Sequence, residues 1–362
     1  MNTPLLDLYS DYLLCSFGQT PATRLAGLLH DAISHDTITR FLAEGIPKSK
    51  DLWHIVKPHV RSIESAEGII SIDDSIEAKP YTDENDIVCW HYDHAHGRQT
   101  KGINFMTALY SSKDVSLPVG FQLVAKTEVY QDPATYTEKH RSPVSKNTYY
   151  QRLLQACVRN AIPFRYVIND VWYASAANMM FVKHQLKKHF IMPLKSPATG
   201  GTLSLADKRQ GTYVTVETLT IKEDTVQKIF LEEVDFPLLL AKQVFVNEDN
   251  SIGILYLVSS DTTLTYERLT TLYRTRWHVE EYHKSLKQNA SLEKSPTRTV
   301  ATQTTHFFAA LCAYVKLELL KVSTQMNHAA LKLNLYMQAL MTAYEQLRSL
   351  QPVQLTKKPL FA

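Results

Sequence analysis

Cysteine is scarce in this sequence of 362 residues: Cys15, Cys89, Cys157 and Cys312 lie far apart and form no CxxC pair. That spacing argues against a disulfide framework or a closed zinc site and fits reduced thiols in a cytosol. No run approaches the roughly 18 uncharged apolar residues that a membrane-spanning helix needs. The opening MNTPLLDLYSDYLL carries Asp where a signal peptide carries Lys or Arg, so a cytoplasmic protein is expected. Charge of one sign is also lacking: the net charge is +3 and the pI about 8.4. Any nucleic-acid binding must then come from local clusters. There is no internal repeat or low-complexity tract. What is present is 44% hydrophobic residues with 19 Tyr and 13 Phe, enough for a proper core. The length allows one large domain or two to three smaller ones.

The chain is organised around YRTRWHVEEYHKSLK, Tyr273 to Lys287, which has no Gly or Pro and reads as one helix. Tyr273, Arg276, Glu280 and Lys287 stand at offsets 0, 3, 7 and 14. On a helix they fall within roughly a 60° arc, along about 20 Å. A carboxylate flanked by cations suits metal-assisted chemistry on a phosphodiester. A solvated helix with ordinary charges would carry the same residues.

Residues 1 to about 60 read as helical. Ser34 or Asp36 can cap a short helix that Gly45 and Pro47 would end. With the helix before it this could make a helix-turn-helix showing His35, Thr37, Thr39 and Arg40 to a DNA groove. From Ser65 the pattern turns to strands. A buried strand, Gly68 to Ile72, ends on Asp73 and Asp74, and a second runs from Gly102 to Tyr110. A third covers Leu117 to Tyr130 with Pro118 at its start. Between the first two, WHYDHAHGRQTK leaves three readings: zinc held by Cys89, His91, His94 and His96, a phosphate-touching loop through Arg98 and Lys101, or plain hairpin polarity. The zinc spacing fits no standard ligand set. Residues 131 to 147 read as a loop, and a helix starts at Asn147 or Thr148. A strand from Phe164 to Ile168 ends on Asn169-Asp170. A helix over VWYASAANMMFVKHQLKKH and a strand at FIMPLK follow. Residues 199 to 258 hold several strand-like runs, and two apolar helices close the chain.

The spacing Y-x2-R-x3-E-x6-K resembles the signature of the DDE transposases of bacterial insertion sequences, specifically the insertion-sequence-4 family, and matches at all four positions. The resemblance implies an α/β fold: an RNase H-like catalytic core interrupted by a β-rich insertion, with an N-terminal helical DNA-binding region and C-terminal helices. The corresponding boundaries are 1–62 for the helical DNA-binding region, 63–198 for the first part of the core and 199–260 for the insertion. Residues 261–296 carry the second part of the core with the Glu helix, and 297–362 the closing helices. The order β, β, β, α, β, α, β and a late helix fits that core. In such a core the first and fourth strands are neighbours.

By the same resemblance Asp74, Asp170 and Glu280 are the catalytic, metal-binding acids, and Tyr273, Arg276 and Lys287 face DNA. Asp74 is preferred to Asp73 because the family's first acid precedes a small hydroxyl residue and Ser75 follows Asp74. The implied cofactor is two Mg²⁺ ions per site, for which Mn²⁺ can substitute. The implied partners are double-stranded DNA, as terminal inverted repeats and target, and a second copy of the chain. The family's base-holding Trp in the insertion is missing, since the four Trp are 53, 90, 172 and 277. Tyr213, Phe230, Phe236 or Phe245 could substitute. Three other readings stay open: an RNase H-like nuclease without transposition, a non-catalytic DNA-binding regulator, and a sugar hydrolase with two carboxylates.

Overall fold

The structure, a computed structural model, describes residues 2–93, 96–133, 136–194, 213–246 and 249–350, and 202–204 by their backbone. It divides into two units. One comprises residues 1–46, 284–297 and 301–362, the other 47–283 and 298–300.

The first unit is helical. It opens with α1 (Thr3–Cys15), α2 (Ala22–Leu28) and α3 (His35–Ala43). Asn2 caps α1 and Ser34 caps α3 by accepting backbone N–H bonds from Leu5 and Thr37. Ile38, Phe41 and Leu42 turn the apolar stripe of α3 inward, while His35, Thr39 and Arg40 are exposed.

The second unit begins with α4 (Ser49–Ile63) and is built on one large, mostly antiparallel sheet. Its strands are β1 (Ile69–Ala78), β2 (Val88–Asp93), β3 (Arg98–Ser112) and β4 (Val115–Leu123). A separate two-stranded ribbon follows, β5 (Glu128–Gln131) with β6 (Glu138–Arg141), then α5 (Lys146–Arg159), β7 (Tyr166–Asn169), α6 (Ala176–Met180) and β8 (His189–Pro193). The last strands are β9 (Thr202–Ser204), β10 (Val226–Leu231), β11 (Leu238–Val246) and β12 (Ile252–Ser259). Two helices complete it, α7 (Tyr266–Arg274) and α8 (Trp277–Gln288), the second continuing into the first unit. In the first unit α9 (Val300–Thr324) and α10 (His328–Leu350) end the described chain. There Tyr9 on α1 meets His306 on α9 through a 3.0 Å hydrogen bond. Much of α10 is exposed, including Leu333, Met337, Leu340 and Tyr344.

The sheet runs β2-β3-β1-β7-β8-β12-β11-β10-β9, with β4 beside the second half of β3. β1, β7 and β8 are parallel; the other pairings are antiparallel. β12, β11, β10 and β9 therefore extend the same sheet edge-on from β8. Asp261 fastens the end of β12 to β7, accepting hydrogen bonds from Tyr166 at 2.8 Å and Arg165 at 3.0 Å.

Alternation along the strands sorts the layers. Ile69, Tyr166, Ile168 and Ile191 point to the face where Leu269 and Leu272 of α7 complete a core. On the opposite face Asn169 accepts a hydrogen bond from the Tyr150 hydroxyl of α5 at 2.9 Å.

Several sequence expectations change. β1 does not end at Asp73 and Asp74. Its antiparallel pairing with β3 runs on to Ala78, while its parallel pairing with β7 stops at Ile72. The acids are thus mid-strand toward β3 and terminal toward β7. The third strand stops at Leu123, and Pro118 sits inside it, on a strand that pairs with β3 alone, next to a register shift at Ala108/Leu109. In WHYDHAHGRQTK the described residues fall on β2 and β3, which pair antiparallel as the hairpin reading has it, and the 131–147 loop holds β6. The helix expected after Asp170 is a short 3-10 turn, α6 and a π turn over Phe181–Gln185.

Tyr273 to Lys287 is two helices, not one. The Thr275 hydroxyl donates to the Leu272 carbonyl at 2.6 Å, and the backbone closes in tight bonds from Arg276 to Tyr273 and from Val279 to Arg276. A side chain competing for the backbone breaks the ladder here without Gly or Pro.

Candidate active site

Two sequence-predicted acids, Asp74 and Asp170, and the acid passed over in favour of Asp74, Asp73, lie at the end of β7. Asp170 caps the 3-10 turn, its Oδ1 accepting from the Trp172 N–H at 3.0 Å. One step along the sheet Asp73 and Asp74 occupy successive positions of β1, opposite Thr107 and Met106 of β3. The register continues from the Ile72–Asn169 pair, so Asp73 and Asp170 follow matched positions.

The two adjacent acids have different surroundings. Asp74 Oδ1 accepts from the Tyr173 hydroxyl at 2.5 Å. Its Oδ2 accepts from Lys146 Nζ at 2.7 Å and Asn104 Nδ2 at 2.9 Å. Burial alone would raise its pKa, but the Lys146 charge and these three donors outweigh that and hold it below the ordinary value. Asp73 accepts the Asp74 backbone N–H at 2.8 Å. Its carboxyl is pushed up to about 8, first by burial and then by repulsion from Asp170 and Asp74. Asp170 is also raised, chiefly by burial. Tyr173 stacks on Tyr150 with centroids 5.3 Å apart and planes 8° from parallel.

The two helices after β12 supply the rest. Tyr273 is the penultimate residue of α7, and its phenol is pushed up to about 12, mainly by burial. The Arg276 guanidinium lies 5.9 Å from the Tyr273 ring centroid and pairs with Glu280 at 2.7 Å. Burial opposes its charge, but Tyr273 and Glu280 raise its pKa overall. Lys287 is in the last turn of α8, within the other unit.

Asp73, Asp170 and Glu280 are hard oxygen donors, the ligand type a divalent cation takes. Among the described residues, however, no three His, Cys, Asp or Glu side chains close into a metal-binding group. In this arrangement Glu280 spends an oxygen on Arg276 and Asp74 spends one on Lys146.

Lys146, Tyr173 and Asn104 were not singled out from the sequence. Tyr173 stood only as an aromatic three residues after Asp170, and Lys146 only as a cation of the 131–147 stretch. Among the described residues the zinc candidates do not assemble. His91 is buried, His96 pairs with Asp93 at 2.9 Å, Cys89 donates to the Asn85 carbonyl at 3.1 Å, and His94 lies outside the described residues. Of the candidate base-holding aromatics, Phe230 on β10 is buried and Phe245 on β11 is exposed.

The profile described as "DDE superfamily endonuclease" matches residues 2–200, and the one described as "Transposase DDE domain" matches residues 142–316. The chain belongs to the DDE superfamily endonucleases. The first match spans β1 and Asp170, and the second spans Asp170, α7 and α8. No curated protein sequence matches. Among solved structures, the Drosophila P element transposase strand transfer complex is similar at 13% identity and a TM-score of 0.23, over 46% of this chain and 33% of that one. The match thus spans about a third of that relative's length. Among the described residues no helix is long and apolar enough to cross a membrane.

Proposed function

We propose that this chain is a DDE transposase of the insertion-sequence-4 type, cutting DNA strands at the ends of a mobile element and transferring them to a target. One observation carries the reading: in a chain of the DDE family, Asp170 and an Asp pair share one end of parallel neighbours β1 and β7, with the Arg276–Glu280 pair formed between the α7–α8 turn and α8. The order β4-β3-β1-β7-β8, with β1, β7 and β8 parallel, supports an RNase H-like core, and β9 to β12 correspond to its 199–260 insertion. The remaining boundaries are 1–62, 63–198, 261–296 and 297–362.

In this reading Asp170, Glu280 and one acid of the adjacent β1 pair, Asp73 or Asp74, hold Mg²⁺ or Mn²⁺. Bound there, such ions supply charge stabilisation to the attacking and leaving oxygens. The chain's own groups do the rest. Arg276 steadies the Glu280 carboxylate and presents the remaining edge of its guanidinium to a phosphate. Tyr273 and Lys287 are the further DNA-contacting residues of this reading. The exposed His35, Thr39 and Arg40, with Thr37, give α3 a DNA-facing side for the terminal repeats. Two copies, each holding one element end, complete the assembly in the cytoplasm.

The test is cleavage of labelled duplexes carrying the DNA that flanks the gene, with Mg²⁺ or EDTA, by wild type and Glu280→Gln. End-specific, metal-dependent cutting that Glu280→Gln loses is the expected result. Cutting of branched or RNA-containing duplexes regardless of the ends would favour an RNase H-like nuclease. Binding to the ends without cutting would favour a regulator.

A further inference from the structure

We infer that the adjacent acids of β1 divide the work: Asp73 is the carboxylate facing the cation and the scissile phosphate, and Asp74 is the tie that fastens β1 to α5. The inference rests on the metal-dependent reading above and assigns its first acid.

The argument is one of strand parity. Successive side chains of a strand point to opposite faces. On β1, Asp73 is paired with Thr107, whose hydroxyl lies 3.3 Å from the Tyr282 hydroxyl of α8. Ser75, two residues on, is paired with Phe105, which meets His283 of α8 edge-on at 5.5 Å. Ile69, two residues before Ser71 on the same face, joins the core under α7. Asp73 therefore belongs to the face covered by α7 and α8, the helices that carry Tyr273 and Glu280, with Arg276 at the turn between them. Asp170 follows Asn169 on β7. Asn169 faces α5 through Tyr150, so Asp170 takes the opposite face, that of Asp73. The three acids Asp73, Asp170 and Glu280 share one layer.

Asp74 shares the other. Its donors come from the start of α5 (Lys146), from Asn104 beside it on β3, and from Tyr173, which is stacked on Tyr150 of α5. Both its oxygens are occupied. To ligate a metal it would have to give up a lysine and two further hydrogen bonds, and reach round to the far face. Asp73 needs neither change.

The test is Mn²⁺ binding to the metal-free full chain, read from loss of the free-ion electron paramagnetic resonance signal, with melting curves run alongside. Under the proposal Asp73→Asn weakens Mn²⁺ binding tenfold or more and still melts cooperatively. Asp74→Asn keeps binding within about threefold and lowers the melting temperature. The reverse pattern, binding lost in Asp74→Asn and kept in Asp73→Asn, overturns the assignment and leaves the metal-dependent reading standing. Absence of saturable Mn²⁺ binding by the wild type overturns both. If Asp74→Asn does not fold, Lys146→Met with Tyr173→Phe serves instead. Unchanged affinity supports the proposal, and a large gain in affinity, from an Asp74 released to bind metal, refutes it.

Discussion

Lys146 and Asp74 form an ion pair at 2.7 Å that joins the first turn of α5 to the middle of β1, 72 residues away in sequence. The carboxylate is largely buried and the lysine part-exposed, so the pair is worth more than a surface bridge and less than a buried one.

Lys146→Met removes the cation and leaves Asp74 with two neutral donors. A loss of roughly 1–2 kcal/mol is expected, measured by urea unfolding. An unchanged midpoint would show that the pair contributes nothing to the fold.

Glu280→Gln keeps the shape of the side chain and a hydrogen bond to Arg276 while removing the charge. Strand cleavage should drop by at least about a hundredfold. The melting temperature should move little, because the pair is partly exposed and Arg276 keeps its contact with Tyr273.

His91 is buried on β2, and its Nε2 has no hydrogen-bond partner. Burial, then the charges of Lys126 and Lys146, lower its pKa from 6.5 to about 4. A base lowered in the fold contributes stability that is complete above its unfolded value and is lost as pH falls through the folded one. His91 should therefore cost stability between about pH 6.5 and 4, on the order of 3 kcal/mol in total. His91→Gln should flatten that part of the stability–pH curve in chemical denaturation. An equal slope in the variant would assign the loss to other groups.

Trp172 and Trp277 are 49% and 60% exposed, two residues after Asp170 and three before Glu280. If DNA strands cross this surface, bases can stack on these rings. Quenching of tryptophan fluorescence by single-stranded DNA is expected. Each Trp→Ala change should weaken binding by roughly 1–3 kcal/mol. Equal affinity in both variants would remove the rings from the path.

What the sequence disclosed depended on burial. β1, β7 and β8 are runs of Ile, Val and Phe between polar punctuation, so their existence, and the acids after their apolar stretches, could be read directly. β5 and β6 are mostly exposed, with no apolar face to set a period, and were hidden. The polar run between β2 and β3 left the hairpin as one of three readings, because its His, Lys and Arg residues suit a zinc site or a phosphate contact as well. The break at Thr275 left no trace, since a hydroxyl bonding its own helix needs no Gly or Pro. Asp74's partners were beyond reach for another reason: Lys146 and Tyr173 lie 72 and 99 residues away, and no local pattern encodes such distances.

The break at Thr275 makes an elbow of the signature. Tyr273 is anchored with the upper arm, α7, whose Leu269 and Leu272 are set in the core. Glu280 rides on the forearm, α8, and Arg276 sits at the joint. The aim of the charged pair is therefore a matter of joint angle as well as of spacing. A substitution at Thr275 could redirect it while every signature letter stayed in place.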